Sequence, residues 1–327
     1  MENDKFQYTN RIDLSLLKIS ADKIRAELKK IIVGQEEAID LILTAILADG
    51  HLLLEGVPGV AKTVLAKLIA KCISAPFSRI QFTPDLMPSD VIGSSIYNEK
   101  TTNFEFRRGP IFSNIVLIDE INRAPAKTQS ALFEVMAERQ ITVDSQTYFF
   151  PRPFTIIATQ NPVEQEGTYR LPEAQLDRFL FKIEIDYPKL EEEINILKNH
   201  NQIESENETD LVQAVISAED IINFQNLVKK VHVEDSIINY IAKVVTSTRN
   251  NANLYLGASP RASISILNTC KSYAALQGKD FVTPDDVKYL APSVLKHRII
   301  LTPEREMEGL TPTLVIKQII DGIEIPR

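Results

Sequence analysis

With 327 residues the chain is too long for one ordinary core, and at roughly 100–200 residues per domain it calls for two. Apolar residues at 44% and charged residues at 24% exclude a disordered or fibrous chain. A formal net charge of −8 without a Lys/Arg stripe argues against general nucleic-acid binding.

The N-terminus, broken up by Glu2, Asp4 and Lys5, has no signal-peptide pattern, and no apolar run approaches the roughly 20 residues of a membrane span, so a cytoplasmic protein without membrane insertion is expected. Along the chain, Ile24, Leu28 and Ile31 predict a short helix, and Ile39, Ile42, Leu43, Ile46 and Leu47 predict an amphipathic one. His51 to Leu54 is a short apolar run ended by Gly56, Pro58 and Gly59, after which Thr63 to Ile73 returns to helical spacing: strand, glycine loop, helix. Four more apolar runs follow, Arg79 to Phe82, Ile115 to Ile118, Phe154 to Ala158 and Phe179 to Ile185, and fully apolar runs suit strands buried on both faces of a parallel sheet. Thr128 to Glu138 reads as a helix. Two hairpins decorate this α/β unit, one across 96–106 and one across 141–149, the second turning near Asp144 and Ser145.

After Tyr187-Pro188 strand-like runs give way to helical patterns, so the division expected is an α/β domain over 1–188 and a smaller all-α domain over 189–327. Helices are predicted over Ser217 to Lys230, Asp235 to Arg249, Pro260 to Gln277 and Pro284 to Leu290, with Ser217 and Thr283 at their N-terminal flanks. The acidic stretch Glu204 to Asp210 reads as a solvated loop. Cys72 and Cys270 lie inside apolar helical patterns and read as buried thiols, and four scattered histidines offer little material for a zinc site.

The chemistry concentrates in two segments. Gly56-Val57-Pro58-Gly59-Val60-Ala61-Lys62-Thr63, leading into Val64, supplies what a nucleoside triphosphate needs: converging backbone N–H donors, a cation and a hydroxyl. Lys62 is placed to reach the β- and γ-phosphates and Thr63 to hold Mg²⁺. Ala61 stands where glycine is expected, so the loop either avoids the left-handed conformation there or carries strain. In the second segment, Asp119 and Glu120 follow the apolar run Ile115 to Ile118, where ligands bind in open α/β sheets. Asp119 is expected to reach Mg²⁺ through water, and Glu120 to orient and deprotonate the attacking water.

These residues resemble the AAA+ ATPases, and more closely the MoxR family. The resemblance is carried by 54–63, by Asp119-Glu120-Ile121-Asn122-Arg123-Ala124, Ala158-Thr159-Gln160-Asn161-Pro162 and 171–179, and by Ser259-Pro260-Arg261-Ala262. It implies an AAA+ P-loop core with a five-stranded parallel sheet, followed by a helical lid. Asn161 then resembles sensor 1, Arg178 the arginine finger acting on a neighbouring subunit's nucleotide, and Arg261 sensor 2. Without that likeness an Asn turn, a surface ion pair and a helix-end cation would be the better descriptions of the three. Arg123 and Arg170 are either further contacts between subunits or surface arginines. Val33 and Gly34, with Ile32, are expected near the adenine, although plain core would also explain the apolar pair. Glu55 reads as a strand-end residue.

The function implied is ATP hydrolysis to ADP in a homo-oligomeric, hexameric ring that remodels, matures or loads metal into a protein client, by analogy often one with a von Willebrand factor A domain. A magnesium-chelatase-type motor subunit is the alternative, and a nucleic-acid motor a weaker one, since the 141–149 hairpin holds no Lys or Arg. The hairpins, with Tyr148, Phe149 and Phe150, either meet the client or pack against the chain's own helices.

Overall fold

A computed structural model describes residues 12–163, 167–169, 171–202 and 208–326. Arg170 and residues 204–207 of the acidic stretch lie outside the described residues. Two helices, α1 (Ser15–Leu28) and α2 (Glu36–Leu47), precede β1 (Leu52–Glu55), α3 (Lys62–Cys72) and β2 (Phe77–Gln81). The short α4 (Pro88–Ile92) leads into β3 (Gly93–Asn98) and β4 (Asn103–Arg108). Then come β5 (Ile115–Asp119), a 3₁₀ turn (Ile121–Arg123), α5 (Ala126–Glu138), β6 (Gln140–Val143), β7 (Gln146–Phe149), β8 (Thr155–Gln160), α6 (Glu173–Leu176) and β9 (Phe181–Glu184).

Five strands form one parallel sheet in the order β2-β5-β8-β1-β9. Alternation along each strand divides the apolar residues between two cores. Leu52, Leu54, Ile115, Leu117 and Ile157 face the cluster shared with α1, α2 and α3, whereas Leu53, Val116, Ile118, Ile156 and Ala158 face the one holding Phe133 and Met136 of α5. Burial on both faces explains why these strands read as continuous apolar runs. Beneath the sheet, His51 donates through Nε2 to the Met136 carbonyl (3.2 Å) and accepts the Ile156 N–H on Nδ1 (3.0 Å). Burial drives its pKa down to about 3, so it is a neutral core histidine.

Both hairpins form as expected. Asp144 and Ser145 occupy the two positive-φ positions (49° and 65°) of the β6–β7 turn. The hairpins also meet each other: Phe106 packs on Tyr148 with ring centroids 4.6 Å apart, and Ser95 bonds Asp144. Of the three aromatics expected at the second hairpin, only Phe149 is truly exposed. Tyr148 is half-covered by Phe106, and Phe150 is buried in a stack on Phe112 at 4.4 Å.

The rest of the chain is helical: α7 (Leu190–Gln202), α8 (Ala218–Val228), α9 (Asp235–Arg249), α10 (Pro260–Leu276), α11 (Pro284–Leu295), α12 (Pro303–Met307) and α13 (Pro312–Asp321). Ser217 and Thr283 cap α8 and α11 in reciprocal boxes with Asp220 and Asp286. Two features depart from expectation. α11 continues through Pro292 to Leu295, and a small antiparallel pair, β10 (Leu254–Leu256) with β11 (Ile300–Leu301), ties the segment before α10 to the segment after α11. Residues of α9, α10 and α11 join the same apolar cluster as α1 and α2, so the N-terminal helices pack between the sheet and the C-terminal helices.

Candidate active site

The phosphate loop runs from the end of β1 to the start of α3. Gly59 has φ +88° with open space where a side chain would be, so conformation rather than crowding requires glycine there, and the empty side is the one a phosphate chain can approach. Ala61 takes the left-handed conformation (φ 58°, ψ 21°). Avoiding that conformation is therefore not how the loop accommodates alanine, and the strain it carries is about 1–3 kcal/mol. The Lys62 ammonium bonds the Gly56 and Val57 carbonyls, the second at 3.0 Å. Burial lowers its pKa, while Asp119, Glu120 and Glu55 oppose that shift.

Asp119, almost fully buried at the end of β5, receives three partners. Thr63 Oγ1 lies 3.3 and 3.4 Å from its two oxygens, Thr159 Oγ1 donates to Oδ1 at 3.2 Å, and Arg79 Nε donates to Oδ2 at 2.6 Å. Glu120 follows in a left-handed conformation (φ 57°, ψ 52°), its N–H held by Thr159 Oγ1 at 3.0 Å. This is strain placed on a carboxylate that must leave the strand direction to face the loop. Its Oε2 accepts from Gln81 Nε2 (2.8 Å) and lies 3.0 Å from Arg123 Nε. Arg123 thus pairs within its own chain. Asn161 just beyond β8 accepts the Val163 N–H at 3.2 Å, closing a turn at the strand end.

One cavity of about 410 Å³ is lined by 58–64, Arg79, Gln81, Asp119, Glu120, Thr159 and Asn161. The sheet order explains the gathering, because β2, β5 and β8 are neighbours and their C-terminal ends open on the loop that follows β1. A second cavity, about 520 Å³, shares Gly59, Val60, Ala61 and Val64 with the first and adds Ile32, Val33 and Gly34, together with Glu192 and His200 of α7. Gln35 Nε2 donates to the Val60 carbonyl (3.0 Å), tying the two cavities together. Gly34, at φ +76°, has no room for a side chain because a Cβ there would strike the Glu192 carboxylate. Four predicted residues line neither cavity: Gly56 and Val57, which meet Lys62 through their carbonyls, and two arginines further off. Arg178 donates through Nη1 to the Phe133 carbonyl at 2.9 Å, and Arg261, half-exposed at the start of α10, lies 3.9 Å from Asp177. Glu55 pairs with Lys182 on the neighbouring strand at 2.8 Å.

Residues 51–181 match the family described as ATPase family associated with various cellular activities (AAA), and residues 246–319 match the AAA lid domain. The chain is 42% identical to the chaperone MoxR1 of Mycobacterium tuberculosis, over 92% of this chain and 81% of that one. It belongs to the MoxR family of AAA+ ATPases. It is also 49% identical to the protein YeaC of Bacillus subtilis over 91% of this chain and 92% of the relative. A crystal structure of a candidate ATPase from Cytophaga hutchinsonii, 42% identical, superposes with a TM-score of 0.88 over 96% of this chain and 97% of the other.

Within this MoxR-family fold, Arg79, Gln81 and Thr159 are site residues that the pattern of the sequence did not single out. The parallel register pairs Gln81 with Asp119, which brings two side chains of the edge strand beside the acids. Among the described residues no cluster of three or more His, Cys, Asp or Glu side chains could hold a metal by itself, and no helix is long and apolar enough to cross a membrane. A hydroxyl beside one or two carboxylates nonetheless fits Mg²⁺, which takes few protein ligands and completes its shell with water and substrate phosphates.

Proposed function

We propose that the chain binds ATP with Mg²⁺ in these joined cavities and hydrolyses it to ADP. The observation that carries the reading is the convergence of Thr63, Asp119 and Glu120 below the Gly59–Lys62 loop at the carboxyl end of a parallel sheet. Val33 and Gly34 line the space for the base and 58–64 the space for the phosphates, with Gly56 and Val57 behind them holding Lys62 through their carbonyls. Lys62 turns from the loop carbonyls to the β- and γ-phosphates, while Thr63 directly and Asp119 through water would hold Mg²⁺, which would supply positive charge against the phosphate oxygens. Glu120 accepts the proton of the attacking water, with Gln81 and Arg123 fixing its carboxylate through Oε2 so that Oε1 takes the proton. Asn161 helps position that water or the γ-phosphate.

Arg178 lines neither cavity of its own chain, which supports a role on a neighbouring subunit's nucleotide. Hydrolysis then requires assembly, for which we propose a hexameric ring. Residues 1–188 form the nucleotide-binding domain and 189–327 the lid, and Arg261 reports the nucleotide to that lid. The work is remodelling, maturation or metal loading of a protein client, and a von Willebrand factor A domain is the client class proposed. Exposed Tyr97, Phe104 and Phe149 on the joined hairpins are the surface offered to it.

Sedimentation with and without ATP, followed by capture of partners on an ATP-locked Glu120→Gln ring, tests this reading. An ATP-dependent ring holding one enriched protein is expected. A monomer at all nucleotide concentrations would remove the role given to Arg178.

A further inference from the structure

Arg298, just past α11, is a charged residue almost entirely inside the protein, with a side chain only 2% exposed. A buried guanidinium is retained only if its donors are occupied, and here they are spent mostly on one short segment. Nε donates to Asp177 Oδ1 at 2.7 Å, and Nη2 to the carbonyls of Phe179 (2.6 Å) and Asp177 (3.3 Å). Nη1 donates to the Leu180 carbonyl (3.2 Å) and to that of Val294 on α11. The adjoining His297 adds Nε2 to the same Phe179 carbonyl at 3.0 Å. The segment so gripped, Asp177 to Leu180, contains Arg178.

The other oxygen of Asp177 faces α10. Ser259 Oγ donates to Oδ2 at 3.3 Å, and Arg261 lies 3.9 Å from it. Asp177 is therefore shared between two arginines of the helical region while its chain neighbour Arg178 reaches the Phe133 carbonyl on α5. The ring of Phe179 sits edge-on to Phe133, with centroids 5.8 Å apart, and fixes the far side.

We infer that Arg298 is a positioning residue for Arg178, pinning the Asp177–Leu180 segment to the lid so that the lid's position sets where the Arg178 guanidinium stands in the next subunit's site. This rests on the proposed role of Arg178 in trans. A planar five-donor fork fixes the direction of the segment it holds, and an ammonium in its place keeps the charge but not the direction.

The test is subunit mixing. Arg298→Lys is expected to bind ATP with unchanged affinity but to turn over about 10–100-fold more slowly, the scale of an ångström-sized misplacement. A subunit with a misplaced finger still has an intact site of its own, and Glu120→Gln has an intact finger. Mixing the two is expected to restore phosphate release well above either alone, whereas mixing Arg298→Lys with Arg178→Ala restores nothing. Glu120→Gln mixed with Arg178→Ala is the control. If the control recovers and the Arg298→Lys mixture does not, Arg298 has no positioning role. If the control itself fails, Arg178 does not act in trans and the inference falls with it. Should Arg298→Lys fail to fold, Asp177→Asn in the same mixtures decides between the same outcomes.

Discussion

Replacing Arg178 with alanine is expected to lower phosphate release by about 10³–10⁵-fold at saturating ATP while leaving ATP affinity within a few-fold. The separation follows from geometry. Its guanidinium is tethered to the Phe133 carbonyl and lines neither cavity of its own chain, so removing it leaves the cis-binding groups in place. What is lost is positive charge delivered to the neighbouring γ-phosphate, where charge moves in the transition state. Steady-state phosphate release at several protein concentrations checks this. Unchanged turnover in an assembled ring would assign Arg178 to the structural bond with Phe133 alone.

Glu120→Gln is expected to reduce turnover about 10²–10⁴-fold, the usual contribution of a positioned general base. Shape is kept, and the amide can still engage Gln81, but it cannot accept the proton. The left-handed backbone at Glu120 is held by Thr159 and not by the carboxylate, so the fold should tolerate the change. Single-turnover quench measurements with protein in excess over ATP separate chemistry from release, and chemistry at the unaltered rate would transfer the base role elsewhere.

Much of this site is written locally. Gly59 and Lys62 sit in one loop, Asp119 and Glu120 follow one apolar strand, and the Asp144-Ser145 turn carries its own hairpin signal, so short-range pattern was enough to find them. Arg79 and Gln81 were not legible in that way. β2 is an edge strand of mixed composition, and only its register with β5 brings both side chains to the acids. Arg298 is further out of reach, since its partner Asp177 is 121 residues away and nothing near it marks a buried charge. The helix α13 is a different case: Thr311, Pro312 and the spacing of Val315, Ile316, Ile319 and Ile320 carry cap and periodicity, so its signal is local and present in the sequence. α11 passes Pro292 because the cap at Thr283 and burial of Val294 and Leu295 outweigh one lost backbone bond.

The roles proposed for the loop, the acids and the Thr63 hydroxyl stand or fall together on whether this pocket holds a triphosphate. Titration of Mg²⁺-ATP into wild type and Lys62→Ala by calorimetry measures that directly. Loss of the lysine's charge-assisted bonds to phosphate is expected to weaken binding by roughly ten- to a hundredfold. Wild-type affinity in Lys62→Ala would place the nucleotide somewhere other than the loop between β1 and α3.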